Sequence, residues 1–170
     1  PQTTRNRIVG IHTKGDDQFV FIDTPGIFSP RNALGDYMVK SANSTMQDAD
    51  AVVLVVEAGR PHGDVEENVI DYVKRNDVPA VLAINKTDLS DATKVADTIK
   101  EYAALHSFDA IVPICARKGE QVNAVLDECA KFLGESDWFF PDDIVTDQPE
   151  RQIVAEVIRE KILRLLSEEI

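Results

Sequence analysis

Apolar and polar positions follow two rhythms along the chain. Ile8 to His12 alternates apolar with small or polar residues, and Gln18 to Ile22 is a short run of aromatic and β-branched side chains. Both patterns suit a pleated strand. Lys14-Gly15-Asp16-Asp17 lies between them, a connection short enough to predict an antiparallel hairpin. From residue 36 the rhythm becomes helical. Tyr37, Met38, Ser41, Ala42 and Thr45 predict a helix over 36–48.

Strands and helices then alternate. Ala51 to Val56 is continuously apolar, as expected of a parallel strand buried on both faces. Asp64-Val65-Glu66-Glu67 has capping-box spacing with Asp64 as the cap, and Val65, Val69, Ile70 and Val73 line one face of the helix that follows. Ala80 to Ile84 is a second apolar strand, and 91–106 a helix carrying Val95, Ile99 and Ala103 on one face. Asp109 to Ile114 reads as a strand and Val122 to Leu133 as a helix. This order predicts an α/β fold, a mostly parallel sheet with helices on both faces. Beyond Trp138 the character changes. Trp138-Phe139-Phe140-Pro141-Asp142-Asp143 and Thr146 to Pro149 read as a connection. Ile153, Val154, Val157, Ile158, Ile162, Leu165 and Leu166 then repeat at helical spacing, making a face that needs a partner.

Composition narrows the function. The chain has 170 residues, a formal net charge of −12 and 44% apolar residues. An apolar fraction this high supports a packed core, and the negative charge argues against this stretch gripping a phosphate backbone by itself. Cys115 and Cys129 lack metal-type spacing and suggest a reduced, cytosolic setting. His12, His62 and His106 are scattered. No signal peptide is visible, and the longest aliphatic run is far too short to span a bilayer. The chain starts at Pro1 and stops on an unfinished helix, which reads as a piece of a longer protein.

Three predicted strands end in polar clusters: Asp23-Thr24-Pro25-Gly26, Asn85-Lys86-Thr87-Asp88 and Cys115-Ala116-Arg117. In an open α/β sheet, ligands sit beyond the carboxyl ends of the strands. A carboxylate at Asp23 can hold a hydrated magnesium ion, and Gly26 lets a backbone N–H approach a phosphate closely. An Asp-x-x-Gly pattern alone is weak, since it arises by chance in about four of ten chains this long. Asn-Lys-x-Asp is sharper, arising by chance in roughly one of fifty. The Asp88 carboxylate can accept two hydrogen bonds from guanine's ring N–H and exocyclic amine, a donor pair that adenine lacks. The Lys86 stem can lie over the base, and Asn85 can tie its loop to neighbouring backbone. The competing reading is a strand-end turn with a surface Lys–Asp pair. Position after an apolar strand, two strands beyond an Asp-x-x-Gly motif, makes that reading the weaker one.

With these motifs the sequence resembles the translation-factor-related GTPases and, more narrowly, the Era family, whose members join a Ras-like GTPase domain to an RNA-binding KH domain. The resemblance rests on Pro1-Gln2-Thr3-Thr4-Arg5, the Asp23 and Asn85 motifs, Ile111 to Ile114, Phe140 to Asp143 with Thr146-Asp147, and Glu156 to Ile162. It implies a Ras-like GTPase domain over 1–137, a linker over 138–148 and the first KH helix over 149–170. It further implies that Gln2, Thr3, Thr4 and Arg5 form a switch region, with Thr4 and Asp23 on Mg²⁺. The residues on GTP or GDP would be Asp23, Thr24, Pro25, Gly26, Ile27, Asn85, Lys86, Thr87, Asp88, Cys115, Ala116 and Arg117. Gly26 would donate its N–H to the γ-phosphate, and the Ala116 N–H would support the base. Ile27 stands where Ras-like enzymes carry a water-orienting Gln, so no catalytic side chain is identified. Cys115 replaces the family's usual Ser.

No Gly-x-x-x-x-Gly-Lys-Ser/Thr phosphate loop is present in the chain. The resemblance places it upstream of Pro1 together with the first strand of the sheet, and places the RNA-clamping Gly-x-x-Gly loop beyond Ile170. The intact protein is then expected to be a cytoplasmic, monomeric GTP-hydrolysing assembly factor. Its expected partners are small-subunit ribosomal RNA and the 30S subunit, reached through the KH domain, with peripheral membrane contact. The alternatives are a related tRNA-modification or double-domain ribosome-assembly GTPase, or a degenerate interaction module that does not hydrolyse nucleotide.

Overall fold

The computed structural model describes residues 8–23 and 49–166, with side chains described for 8–22 and 49–162. The expected helix over 36–48 lies outside them. The element order is β1 (Ile8–Lys14), β2 (Asp17–Asp23), β3 (Val52–Glu57), α1 (Asp64–Asn76), β4 (Ala80–Asn85), α2 (Ala92–Leu105), β5 (Ala110–Pro113), α3 (Val122–Ala130) and α4 (Glu150–Leu166). Backbone contacts divide the chain into two compact units, one of 1–47 with 136–170, the other of 48–135. Each is described by itself.

The unit of 48–135 is a three-stranded parallel sheet in the order β3-β4-β5, with Val52 opposite Ala80 and Val81 opposite Ala110. β4 is the middle strand, and every residue from Ala80 to Ile84 is at most 1% exposed. The alternation of a strand sends Leu82 and Ile84 to one face, where they pack with Val56, Ala58, Ile70 of α1 and Tyr102 of α2. α3 touches β4 and β5, and its buried Val125, Leu126 and Cys129 stand apart from that cluster, so it covers the opposite face. The expected parallel sheet with helices on both faces is therefore present. β3 departs from expectation in one respect. Val55 is 57% exposed, because among the described residues β3 pairs only with β4 and is an edge strand.

Local chemistry explains the element ends. α1 begins one residue earlier than the capping-box spacing suggests. Gly63 is the N-cap, and its N–H donates to the Glu66 carboxylate at 3.0 Å. Glycine has no oxygen to return the bond, so only half of the box forms. The helix stops at Asp77, whose left-handed φ of 53° turns its N–H back to Val73 O before Pro79. Asp91 caps α2 by accepting from Lys94 N at 2.9 Å, and that bond holds its carboxyl below the usual range. At the start of the sheet, Asp109 accepts the Ala80 N–H at 2.8 Å.

In the other unit, β1 and β2 pair antiparallel from Ile8 opposite Asp23 to Lys14 opposite Asp17. Gly15 supplies the positive φ (63°) required at the first position of the two-residue turn. Val9, Ile11 and Phe19 are buried. α4 leaves Ile153, Val154, Val157, Ile158 and Ile162 between 40% and 54% exposed, matching the expectation of a face that needs a partner.

Leu82→Ala should destabilise the chain by about 2–5 kcal/mol, the cost of a cavity in a site closed on every side. Val55→Ala should cost less than about 0.5 kcal/mol. Chemical denaturation of the two variants checks the contrast, and similar losses would contradict β4 as the core strand.

Candidate functional site

β4 and β5 both run in parallel toward the same end of the sheet, and the second and third predicted clusters follow them. The structure brings these two together. The Asn85 carboxamide oxygen accepts the N–H of Lys86 at 2.8 Å and the N–H of Ala116 at 3.1 Å. One side chain thus joins the loop after β4 to the loop after β5. Thr87 adds a second tie, donating both its hydroxyl (3.0 Å) and its N–H (3.3 Å) to Ile114 O.

Each loop is shaped locally. Lys86 takes a left-handed φ of 63°, which turns the chain into the 3₁₀ segment Thr87–Leu89. Cys115 and Glu120 exchange backbone hydrogen bonds at 3.1 Å in both directions, closing a tight loop through Gly119 at φ 73°. Inside it, Ala116–Lys118 is a 3₁₀ turn whose Arg117 side chain is exposed. The Cys115 side chain is 1% exposed and packs inward, so the loop is held by its backbone. Asp88 is exposed, and its carboxylate makes no hydrogen bond or ion pair among the described residues. An acceptor held at a fixed loop and left unpaired is available to a ligand that offers two donors. The Lys86 ammonium pairs with Glu57 at 2.7 Å, a residue that the sequence motifs do not single out. Glu57 is the last residue of β3, so its position at a strand's carboxyl end was the signal available.

A cleft of about 220 Å³ opens beside these residues, lined by Val55, Val56, Glu57, Arg60, Pro61, Glu66, Asn85, Lys86 and Tyr102. Its rim, the loop from β3 to α1, is tied down at two points. Thr98, 3% exposed, accepts the Gly59 N–H at 3.0 Å and donates to Lys94 O. Glu101 accepts both the His62 N–H at 3.2 Å and the His62 ring at Nδ1, while Glu67 lies 3.2 Å from Nε2. An imidazole between two carboxylates is favoured in its charged form. The hydrogen bond to Glu101 raises the His62 pKa, partial burial opposes this, and the Glu101 and Glu67 charges add to the rise. Burial pushes the neighbouring Tyr102 hydroxyl up to about 12.

Asp23 is the last residue of β2, opposite Ile8, in the other unit. Thr24, Pro25, Gly26 and Ile27, and the predicted switch residues Gln2, Thr3, Thr4 and Arg5, lie outside the described residues. Among the described residues no three His, Cys, Asp or Glu side chains converge on a metal position, and no helix is long and apolar enough to cross a membrane.

Comparison with known proteins agrees with this geometry. A protein-family model described as "50S ribosome-binding GTPase" matches residues 1–86. A curated relative named GTPase Era, from Clostridium botulinum strain Hall, is 44% identical over 170 residues, covering 100% of this chain and 57% of its own. GTPase Era of Clostridium kluyveri is 40% identical, with 58% of its length covered. The chain therefore spans a little over half the length of these relatives. Among solved structures, a point variant of Aquifex aeolicus Era bound to GDP and AlF₄⁻ superposes with a TM-score of 0.88. It is 33% identical and covers 99% of this chain and 58% of its own. Elongation factor SelB of Methanococcus maripaludis shares the fold, with a TM-score of 0.63 at 16% identity over 80% of this chain and 30% of its own.

The His62 clamp gives a pH signature. A pKa raised in the folded state contributes stability in full below the unfolded value, about 6.5, and loses it as pH rises through the raised value. Thermal stability should therefore fall as pH rises above about 6.5, and His62→Gln should flatten that slope. Equal slopes in the two proteins would remove the clamp from the account.

Proposed function

Because the chain belongs to the 50S ribosome-binding GTPase family, we propose that it reads guanine through Asn85, Lys86 and Asp88 and forms part of a GTP-hydrolysing ribosome-assembly factor. The observation that carries this is the Asn85 bridge to Lys86 N and Ala116 N, which sets the unpaired Asp88 carboxylate beside the Ala116 loop. A guanine edge would give its N1–H and exocyclic amine to Asp88. Its O6 would share the Ala116 N–H that Asn85 takes at 3.1 Å in the free protein, and the Lys86 stem would cover its ring. Mg²⁺ would fall to Thr4 and Asp23, the phosphates to Thr24, Pro25, Gly26 and Ile27, and Thr87, Cys115 and Arg117 would shape the base-reading loops. The bound GDP and AlF₄⁻ of the Aquifex aeolicus Era structure supports a guanine-nucleotide site in this fold.

The domain reading is part of the same proposal. Residues 1–137 belong to the GTPase domain, 138–148 link it onward, and 149–170 begin a KH domain that would cover the exposed face of α4. The exposed Val55 edge of β3 is where the first strand of the sheet, upstream with the phosphate loop, would pair. The family description speaks of the 50S subunit, whereas the likeness of Phe140 to Asp147 and Glu156 to Ile162 to the Era family points to the small subunit and its RNA. Co-sedimentation of the intact protein with purified 30S and 50S particles separates these partners. The same proposal takes the intact protein to be a cytoplasmic monomer with peripheral membrane contact.

Asp88→Asn in the intact protein should weaken GTP binding by about a hundredfold or more, since the carboxylate would lose its match to two donors. Xanthosine triphosphate should gain, because xanthine offers one donor and one acceptor and the asparagine amide offers the complement. Unchanged discrimination between the two nucleotides in calorimetry would remove Asp88 from the site. The 170-residue chain alone should hydrolyse GTP negligibly, having no Gly-x-x-x-x-Gly-Lys-Ser/Thr to hold the phosphates. A turnover equal to that of the longer protein would overturn this.

A further inference from the structure

Residues 138–146, a connection by sequence, are bonded to the β1–β2 hairpin at both ends. At the turn end, the Trp138 indole N–H donates to Asp16 O at 2.9 Å. The Gln18 carboxamide engages the backbone of Phe140 on both sides, donating Nε2 to Phe140 O at 2.8 Å and accepting Phe140 N at 3.0 Å. It also donates to Thr13 Oγ1 at 3.3 Å. A side-chain amide used in this way imitates the paired N–H and C=O of a neighbouring strand. At the far end, Ile11 N donates to Val145 O at 2.8 Å, and Gly10 bridges Thr146 antiparallel. The Thr146 hydroxyl donates to Val9 O at 2.6 Å and accepts Gln148 N at 3.3 Å. The Val9 carbonyl and the Ile11 N–H, both on the outward edge of β1, are thus used. A turn closed by Ile144 N to Pro141 O joins the two anchor points.

Burial contributes little to this attachment. Phe139 is 78% exposed and Val145 71%. Hydrogen bonds hold the segment, and such an attachment can release and re-form without exposing a new apolar core. It also closes the free edge of β1, which would otherwise offer unpaired groups to another chain.

We propose that residues 138–146 act as a strap, held on the hairpin by one bridge at Thr146 and by side-chain bonds at Trp138 and Gln18, which makes α4 travel with the hairpin. α4 starts at Glu150, only four residues beyond Thr146, so its base is held by the same bonds. The coupling consequence rests on the reading of Asp23 given above. If β2 delivers Asp23 to the phosphates, a shift of the hairpin on exchange of GDP for GTP reaches α4 through the strap. Gln18 and Thr146 are then positioning residues that touch no nucleotide.

Two measurements test this. In the 170-residue chain, Gln18→Leu combined with Thr146→Val should speed amide exchange at Phe140 and Ile11 by about tenfold or more. Leu82 and Ile84 in the other unit should keep their rates, which reports that the fold survives. Should the double variant unfold, Gln18→Glu serves. It keeps an acceptor for Phe140 N but loses the donor to Phe140 O, so Phe140 should stay protected in part. Unchanged exchange at Phe140 in the double variant, or no protection of Phe140 in the parent, overturns the strap. In the intact protein saturated with GDP or a GTP analogue, α4 amides should respond to the nucleotide in the parent but not in Gln18→Leu, at equal nucleotide affinity. A nucleotide-bound parent whose α4 does not respond overturns the coupling. A parent that binds no nucleotide overturns the functional reading instead, and the first measurement still decides the strap.

Discussion

The Asn85 carboxamide oxygen takes two backbone N–H groups, one from its own loop and one from the loop after β5. Neither loop has a core of its own. Lys86 sits in a left-handed conformation that a β-like neighbour would not impose, and the 115–120 loop is closed by its reciprocal backbone pair around a 3₁₀ turn. What makes the Asn85 bridge effective is the strand beneath it. β4 is buried on both faces, so its last residue leaves the sheet at a fixed place and in a fixed direction. Packing around Leu82 and Ile84 is thereby converted into the position of Asp88, three residues further on. Stability and recognition meet in that one strand.

The same arrangement explains which parts of the molecule could be read from the sequence. Ala80 to Ile84 and the helix from Val122 are legible because burial on two faces and on one face write different periods, although the helix ends at Ala130 rather than at the expected Leu133. Asn85-Lys86-Thr87-Asp88 was legible because spacing, placement after a strand and side-chain chemistry agreed. Glu57 was not singled out. A lone acid after an apolar run has no period, and its pairing with Lys86 depends on β3 and β4 lying side by side in register. The N-cap is Gly63 rather than the expected Asp64, because the spacing to a glutamate three residues on is shared by several frames in an acidic stretch. The strap was the least legible part. Gln18 and Thr146 act on backbone groups far away in sequence, and backbone partners leave no trace in side-chain pattern.

Charge distribution fits a division of labour. The chain carries a net −12, and the cation at the carboxyl end of β4, Lys86, is already paired with Glu57. A ligand that stacks on the Lys86 stem would meet an ammonium partly neutralised by that pair, so affinity there would come from shape and hydrogen bonding more than from attraction of phosphate. In the proposed protein the phosphates and the RNA would be gripped by segments other than the loops after β4 and β5. The acidic surface matches that role, because a base-reading module gains nothing from broad attraction to polyanions.

The two sheet edges are treated differently, and the difference argues for what each is for. β1 has its outward groups bonded by a segment from more than a hundred residues away, although that segment leaves Phe139 and Val145 in solvent. A loop kept only for solubility would be expected to bury its own apolar side chains. One that spends its polar groups on an edge while exposing aromatics is organised by the edge itself. β3, by contrast, keeps Val55 exposed with no strand on that side among the described residues. Parallel sheets are seldom left open in this way, because both faces and both sides of an interior strand are apolar. The open apolar edge at β3 is what the parallel sheet would show if a further strand belonged beside it, while the hairpin of the other unit has found a partner in the linker.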